Sequence, residues 1–207
     1  MKKTAILGLL AIVLGSYGSV TMAVDDVTNT DHNLSNRTNA LTAAGNTQIC
    51  IYCHTPHNAS VDNTTALWNR ADISTTNYTM YSSPTLDMTV AAGPAGVSLA
   101  CLSCHDGGLA TDSLLNNPVA NGTDFLGNSL GTDLSNDHPV SLTYDATQDP
   151  TGFHAAVNNQ VNGLQLFGAT GDQVECGTCH SVHDDTNGSF LRMSNAGSAL
   201  CLACHVK

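Results

Sequence analysis

Positive charge is nearly missing from this chain. Lys and Arg number 6 against 17 Asp and Glu in 207 residues. Two of those six, Lys2 and Lys3, sit at the very start, leaving Arg37, Arg70, Arg192 and Lys207 for everything else. Such a surface offers no basic footprint for nucleic acid or an anionic membrane. Apolar bulk is scarce as well. Aromatics are 5% of the chain, with a single Trp, and beyond residue 23 Leu, Ile, Val and Phe make up about one residue in five, the edge of the disordered class. No later run approaches the ~20 apolar residues a spanning helix requires. The remainder is rich in Asn, Thr, Ser, Gly and Asp, which by themselves would barely offset the entropy of ordering the backbone.

Cysteine is present in a pattern. All eight cysteines fall in four copies of one unit: Cys50-Ile-Tyr-Cys53-His54, Cys101-Leu-Ser-Cys104-His105, Cys176-Gly-Thr-Cys179-His180 and Cys201-Leu-Ala-Cys204-His205. Disulfides would not require the histidine. Tetrathiolate zinc would use the CxxC pairs but leave each fifth position unexplained. Thioredoxin-like redox pairs come singly, in a βαβ setting. CxxCH is the attachment sequence of c-type haem. Two thiols three residues apart lie on one face of a helical turn, where they form thioethers to the haem vinyl groups, and the next histidine reaches the iron. Four covalently bound haem c groups are therefore expected, on Cys50 and Cys53, Cys101 and Cys104, Cys176 and Cys179, and Cys201 and Cys204. The proximal iron ligands are His54, His105, His180 and His205.

Five histidines remain for the four sixth positions: His32, His57, His138, His154 and His183. That supply favours bis-histidine ligation, which restricts a haem mainly to electron transfer, over an open site that admits substrate. His57 and His183 each follow a proximal histidine by three residues and are expected to reach a neighbouring haem. His138 lies in Asp137-His138-Pro139, where Pro139 restricts the backbone and Asp137 is placed to orient the ring. His32 completes the distal set, and His154 is the one left over.

Residues 1–23 have the form of a secretory signal, with a basic start, an apolar stretch over residues 4–15 and small residues at Thr21 and Ala23. Residues 24–207 form one expected domain of two haem pairs, 24–108 and 175–207, separated by a loop-rich segment, 109–174. The expected fold is mostly irregular coil with short helices at the CxxCH sites, very little strand, and the haems as its core. Ser98 and Ser198, each three residues before a CxxCH, are candidate helix caps, and 64–70 is a further candidate helix. Internal repetition supports the pairing: Cys53-His54-Thr-Pro-His57 leads to Leu67-Trp68-Asn-Arg70, and Cys179-His180-Ser-Val-His183 to Phe190-Leu191-Arg192.

The ordered set His32-Asn-Leu-Ser35, Ile49 to His57, Leu67-Trp68-Asn-Arg70, Cys101 to Gly107, Asp137-His-Pro-Val140 and the end from Val174 to Lys207 resembles the OmcE-type tetrahaem extracellular cytochromes of metal-reducing bacteria. That resemblance implies closely spaced bis-histidine haems carrying electrons out of the cell. It also implies a head-to-tail homopolymer in which one haem takes an axial histidine from the neighbouring subunit, with His32 the physical candidate for the donated ligand. Other multihaem cytochromes or extracellular electron acceptors would be its partners. The rivals are a monomeric periplasmic tetrahaem shuttle and a multihaem reductase, the latter disfavoured because all four proximal histidines are kept.

Overall fold

The computed structural model describes residues 26–60, 67–71, 73–116, 122, 124–127 and 129–207. The expected signal segment, 1–23, lies outside them, as do residues 64–66 of the expected helix at 64–70. Its described residues are not helical: Leu67 is left-handed at φ +54° and Trp68 is bridged to His54.

Among the described residues the α-helices are α1 (Ala40–Ala43), α2 (Gly96–His105), α3 (Cys176–Cys179) and α4 (Ala199–Cys204). Three of the four are CxxCH turns, as expected, and the first motif forms a 3-10 turn at Cys50–Tyr52. In α1 the cap is local: Asn39 Oδ1 accepts from the amides of Leu41 and Thr42 at 3.0 Å, and Thr42 Oγ1 accepts from Asn39 N–H, a reciprocal capping box. The two serines do not cap. Ser98 lies inside α2 with its hydroxyl donated to Glu175. Ser198 precedes α4 at φ +65° and makes no side-chain cap bond.

Strand is short but organised. β1 (Thr89–Val90), β2 (Leu142–Thr143) and β5 (Gln173–Val174) form an antiparallel sheet in the order β1-β2-β5. Val90 pairs with Leu142, and Leu142 with Val174. A separate hairpin joins β3 (Gln160–Val161) to β4 (Leu164–Gln165). Its turn is Asn162-Gly163, both at positive φ, the Asn-Gly pair that a two-residue hairpin favours because its twist matches the strands. The segment 109–174 is therefore more than loop, and the hairpin signal stands in its sequence.

Burial is distributed over three small clusters. The largest gathers Met88, Leu142, Tyr144, Val161, Leu166 and Val174 from both sheets. Leu34, Leu41 and Tyr52 pack beside the first motif, and Tyr78, Leu102 and Leu134 around α2. The polypeptide thus carries apolar cores of its own, each adjoining a CxxCH turn.

These cores position the motifs. β1 leads towards α2, and β5 runs through Glu175 directly into Cys176. The Tyr144 hydroxyl donates to the carbonyl of His154 at 2.6 Å, while His154 N–H donates to the carbonyl of Cys204. From the hairpin turn, Asn162 Nδ2 donates to the carbonyl of Ala203. The fourth motif is thereby anchored by the segment between the two pairs.

Candidate haem-binding site

Each motif closes on itself. The amides of His54, His180 and His205 donate to the carbonyls of Cys50, Cys176 and Cys201 at 2.8–3.0 Å. His105 is the last residue of α2. Thus in every copy both cysteines and the histidine share one helical turn, the local form that the attachment chemistry needs. The repetition seen in sequence extends to structure. Thr55 N–H donates to Leu67 O and Asn69 N–H to Cys53 O. At the third motif, Ser181 N–H donates to Phe190 O and Arg192 N–H to Cys179 O. Leu67 and Phe190 share the left-handed conformation, at φ +54° and +57°.

Successive turns lie beside one another. Cys53 of the first is close enough to Cys104 of the second to interact electrostatically. Cys101 hydrogen-bonds Cys176 of the third, and Cys179 in turn senses Cys201 and Cys204 of the fourth. All eight cysteines are free. Burial pushes the thiol of Cys53 up to about 12 and that of Cys204 up to about 11. Cys176 is moved the other way by the hydrogen bond from Cys101.

Histidines come together in twos. His32 and His105 have ring centroids 6.2 Å apart, and His54 and His183 6.3 Å apart. His138 lies near enough to His205 to affect its charge. His57 and His180 are exposed, and among the described residues neither has an imidazole facing it at such a spacing. His154 is half-buried and is held through its backbone.

These pairs allow a test of whether haem fits. An imidazole nitrogen binds a metal at about 2 Å, so two rings on opposite sides of one metal have centroids about 6 Å apart once the ring radius is included. Both pairs meet that spacing. Among the described residues no group of three or more His, Cys, Asp or Glu side chains converges on a metal position. Zinc wants four protein ligands, whereas an iron already held by a porphyrin wants two. The rings are also prepared as ligands. Nδ1 of His180 lies 2.9 Å from Ser189 O, and Nδ1 of His138 lies 3.0 Å from Pro139 O. A carbonyl only accepts, so Nδ1 carries the proton and Nε2 keeps its lone pair. His32 Nδ1 is buried without a hydrogen-bond partner, as is Trp68 Nε1. Burial, then the neighbouring His105, lowers the pKa of His32; burial, then His180, lowers that of His105. Both are thereby kept neutral, the form that binds metal. The residues present fit haem.

A family model described as a doubled CXXCH motif matches residues 169–207, which contain the third and fourth motifs and His183. That doubled motif indicates a multihaem c-type cytochrome-like protein. Its CxxCH units imply covalently bound haem c and suggest electron transfer. No curated protein matches the chain.

Of the neighbours of these sites, Trp68 is expected from the sequence to pad a haem edge, whereas Phe190, Phe153, Arg70 and Glu175 had no assigned role. Phe190 packs on His32 with centroids 4.3 Å apart, and Phe153 on His205 at 4.8 Å. Trp68 meets His54 edge-on at 6.1 Å. Arg70 is fully buried, and Glu175 is 2% exposed. The matching of Leu67-Trp68-Asn-Arg70 with Phe190-Leu191-Arg192 was the signal for the first group. Burial of the two charged side chains had none.

Proposed function

We propose that this protein is an exported, non-enzymatic electron carrier holding four bis-histidine haems, one on each CxxCH turn, and that copies join into a filament. The observation that carries this reading is the pairing of His32 with His105 and His54 with His183 at 6.2 and 6.3 Å. Haem at these turns would supply a one-electron ferric/ferrous couple. The chain's own part is to bind and orient it. Cysteine thiols would hold the group covalently, with His54, His105, His180 and His205 as its proximal ligands. His183, His32 and His138 would be the second ligands at the first, second and fourth turns. Trp68, Phe190 and Phe153 pack against the ligand rings and would keep water from them. Histidines filling both positions of each haem would leave no site for substrate, which argues against a reductase. Export rests on residues 1–23.

The filament reading takes a specific form. His32 faces His105 of its own chain, which favours a ligand role within the chain over donation to a neighbouring subunit. His180 and His57 are the exposed pair without facing imidazoles. If His57 of one copy binds opposite His180 of the next, the contact joins two different patches. Such a heterologous contact need not close and builds an open chain. This agrees with the resemblance to the OmcE-type extracellular cytochromes.

The test is His57→Ala in haem-loaded protein, followed by electron microscopy and EPR. The expected result is loss of filaments, with one haem per chain turning high-spin. Filaments that persist unchanged would refute the linkage, and a wild-type chain that remains monomeric with four low-spin haems would establish the shuttle instead.

A further inference from the structure

We propose that Arg70 sets the potential of this chain: its buried guanidinium, wedged between the first and second CxxCH turns, raises the reduction potential of the haems there above that of the third and fourth. The proposal rests on the reading that these turns carry haem. Arg70 has no exposed surface. Its Nη1 donates to Thr111 O at 2.9 Å, and its Nη2 to Ala110 O at 2.7 Å and Ser103 O at 3.1 Å. Nε is buried without a partner. Ser103 stands inside the second CxxCH turn, while the residue before Arg70, Asn69, donates its amide to Cys53 O of the first. The cation therefore touches one attachment turn and is tied by the backbone to the other.

The acceptors of its three hydrogen bonds are all neutral carbonyls.

The repeat-related arginine behaves differently. Arg192 donates Nε to Gly177 O at 2.6 Å, but its side chain is exposed, and solvent and salt screen an exposed charge. Beside the third turn the buried ionisable group is instead Glu175, which takes the hydroxyls of Ser98 and Ser141. Reduction of ferric to ferrous iron adds one electron, and a permanent cation in a low-dielectric interior favours that state. An electron entering the chain should therefore rest first on the side of Arg70.

The experiment is a spectroelectrochemical titration of haem-loaded full-length protein, with haem counted by pyridine haemochrome. In Arg70→Gln, two of the four components should lose about tenfold in reduced-to-oxidised ratio at fixed potential, equivalent to ~59 mV for a one-electron couple. Arg70→Lys, which keeps the charge, and Arg192→Gln should titrate like wild type. An Arg70→Gln protein with full haem and an unshifted curve overturns the proposal, as does an Arg70→Lys protein shifted equally. Should Arg70→Gln fail to fold, Cys201→Ala with Cys204→Ala removes only the fourth haem. The component lost must then be a low-potential one, and loss of the highest overturns the proposal. A wild-type haem count below four overturns instead the reading on which it rests.

Discussion

Replacing His183 with alanine tests the ligand geometry most directly. The side chain is exposed, and surface substitutions of that kind change stability by about 0.5 kcal/mol or less, so the fold should survive and the effect stay local. Its ring lies 6.3 Å from that of His54, which is the span across one iron, and the residue serves no other pairing. Under the proposed ligation, alanine removes one of two ligands from one haem of four. About one quarter of the ferric iron should then pass from low-spin to high-spin, with the rest unchanged. EPR of the oxidised protein gives the fraction, and added imidazole should restore it because the vacancy is open to solvent. His183→Ala combined with His32→Ala should double the high-spin fraction, since His32 belongs to a different pair. If His183→Ala keeps four low-spin haems, the iron at His54 finds its ligand elsewhere and the reading of the ring pairs is wrong. A change spread over all four haems would equally refute it, because it would report a loosened fold.

Two further outcomes follow from the scaffold. The Arg37 guanidinium, 2.5–2.6 Å from Asp124, and the Thr111 hydroxyl hold the Asp124 carboxyl below its usual range. A carboxylate depressed in the folded state stabilises above its unfolded pKa of about 3.9, and that stability is lost as pH falls through the lower folded value. Asp124→Asn should therefore unfold at lower urea than wild type at pH 7, with the two curves converging as pH falls below that window. Leu166 is 1% exposed in the largest apolar cluster. Leu166→Ala should cost about 2–5 kcal/mol, read as a lower denaturation midpoint in the haem-loaded protein, and an unchanged midpoint would mean that the cluster does not support the fold.

The sites of covalent attachment were legible because the required information is local. Two thiols and a histidine within one helical turn need nothing from the rest of the chain. The partnership of repeats was legible for a related reason. Leu67-Trp68 and Phe190-Leu191 return to their motifs over a short loop, and the same residue classes recur. The Asn162-Gly163 hairpin was equally local, although the surrounding segment carries no longer periodicity to draw attention to it. Beside the core expected of the haems, Leu142, Val161 and Val174 converge from three strands, with Leu166 just after β4, a cluster that no periodicity in the sequence announces.

By itself the sequence determined which cysteines and histidines form the four CxxCH units, how acidic the chain is, and that five histidines lie outside those units. Only the tertiary structure decided how those imidazoles are shared. His32 meets His105, and His54 meets His183, while His57, equivalent to His183 by spacing alone, meets none among the described residues. It also buried Arg70 and left its counterpart Arg192 in solvent. The reason is physical. Which ring faces which, and which charge is desolvated, depend on contacts between segments far apart along the chain, and residue spacing does not encode them.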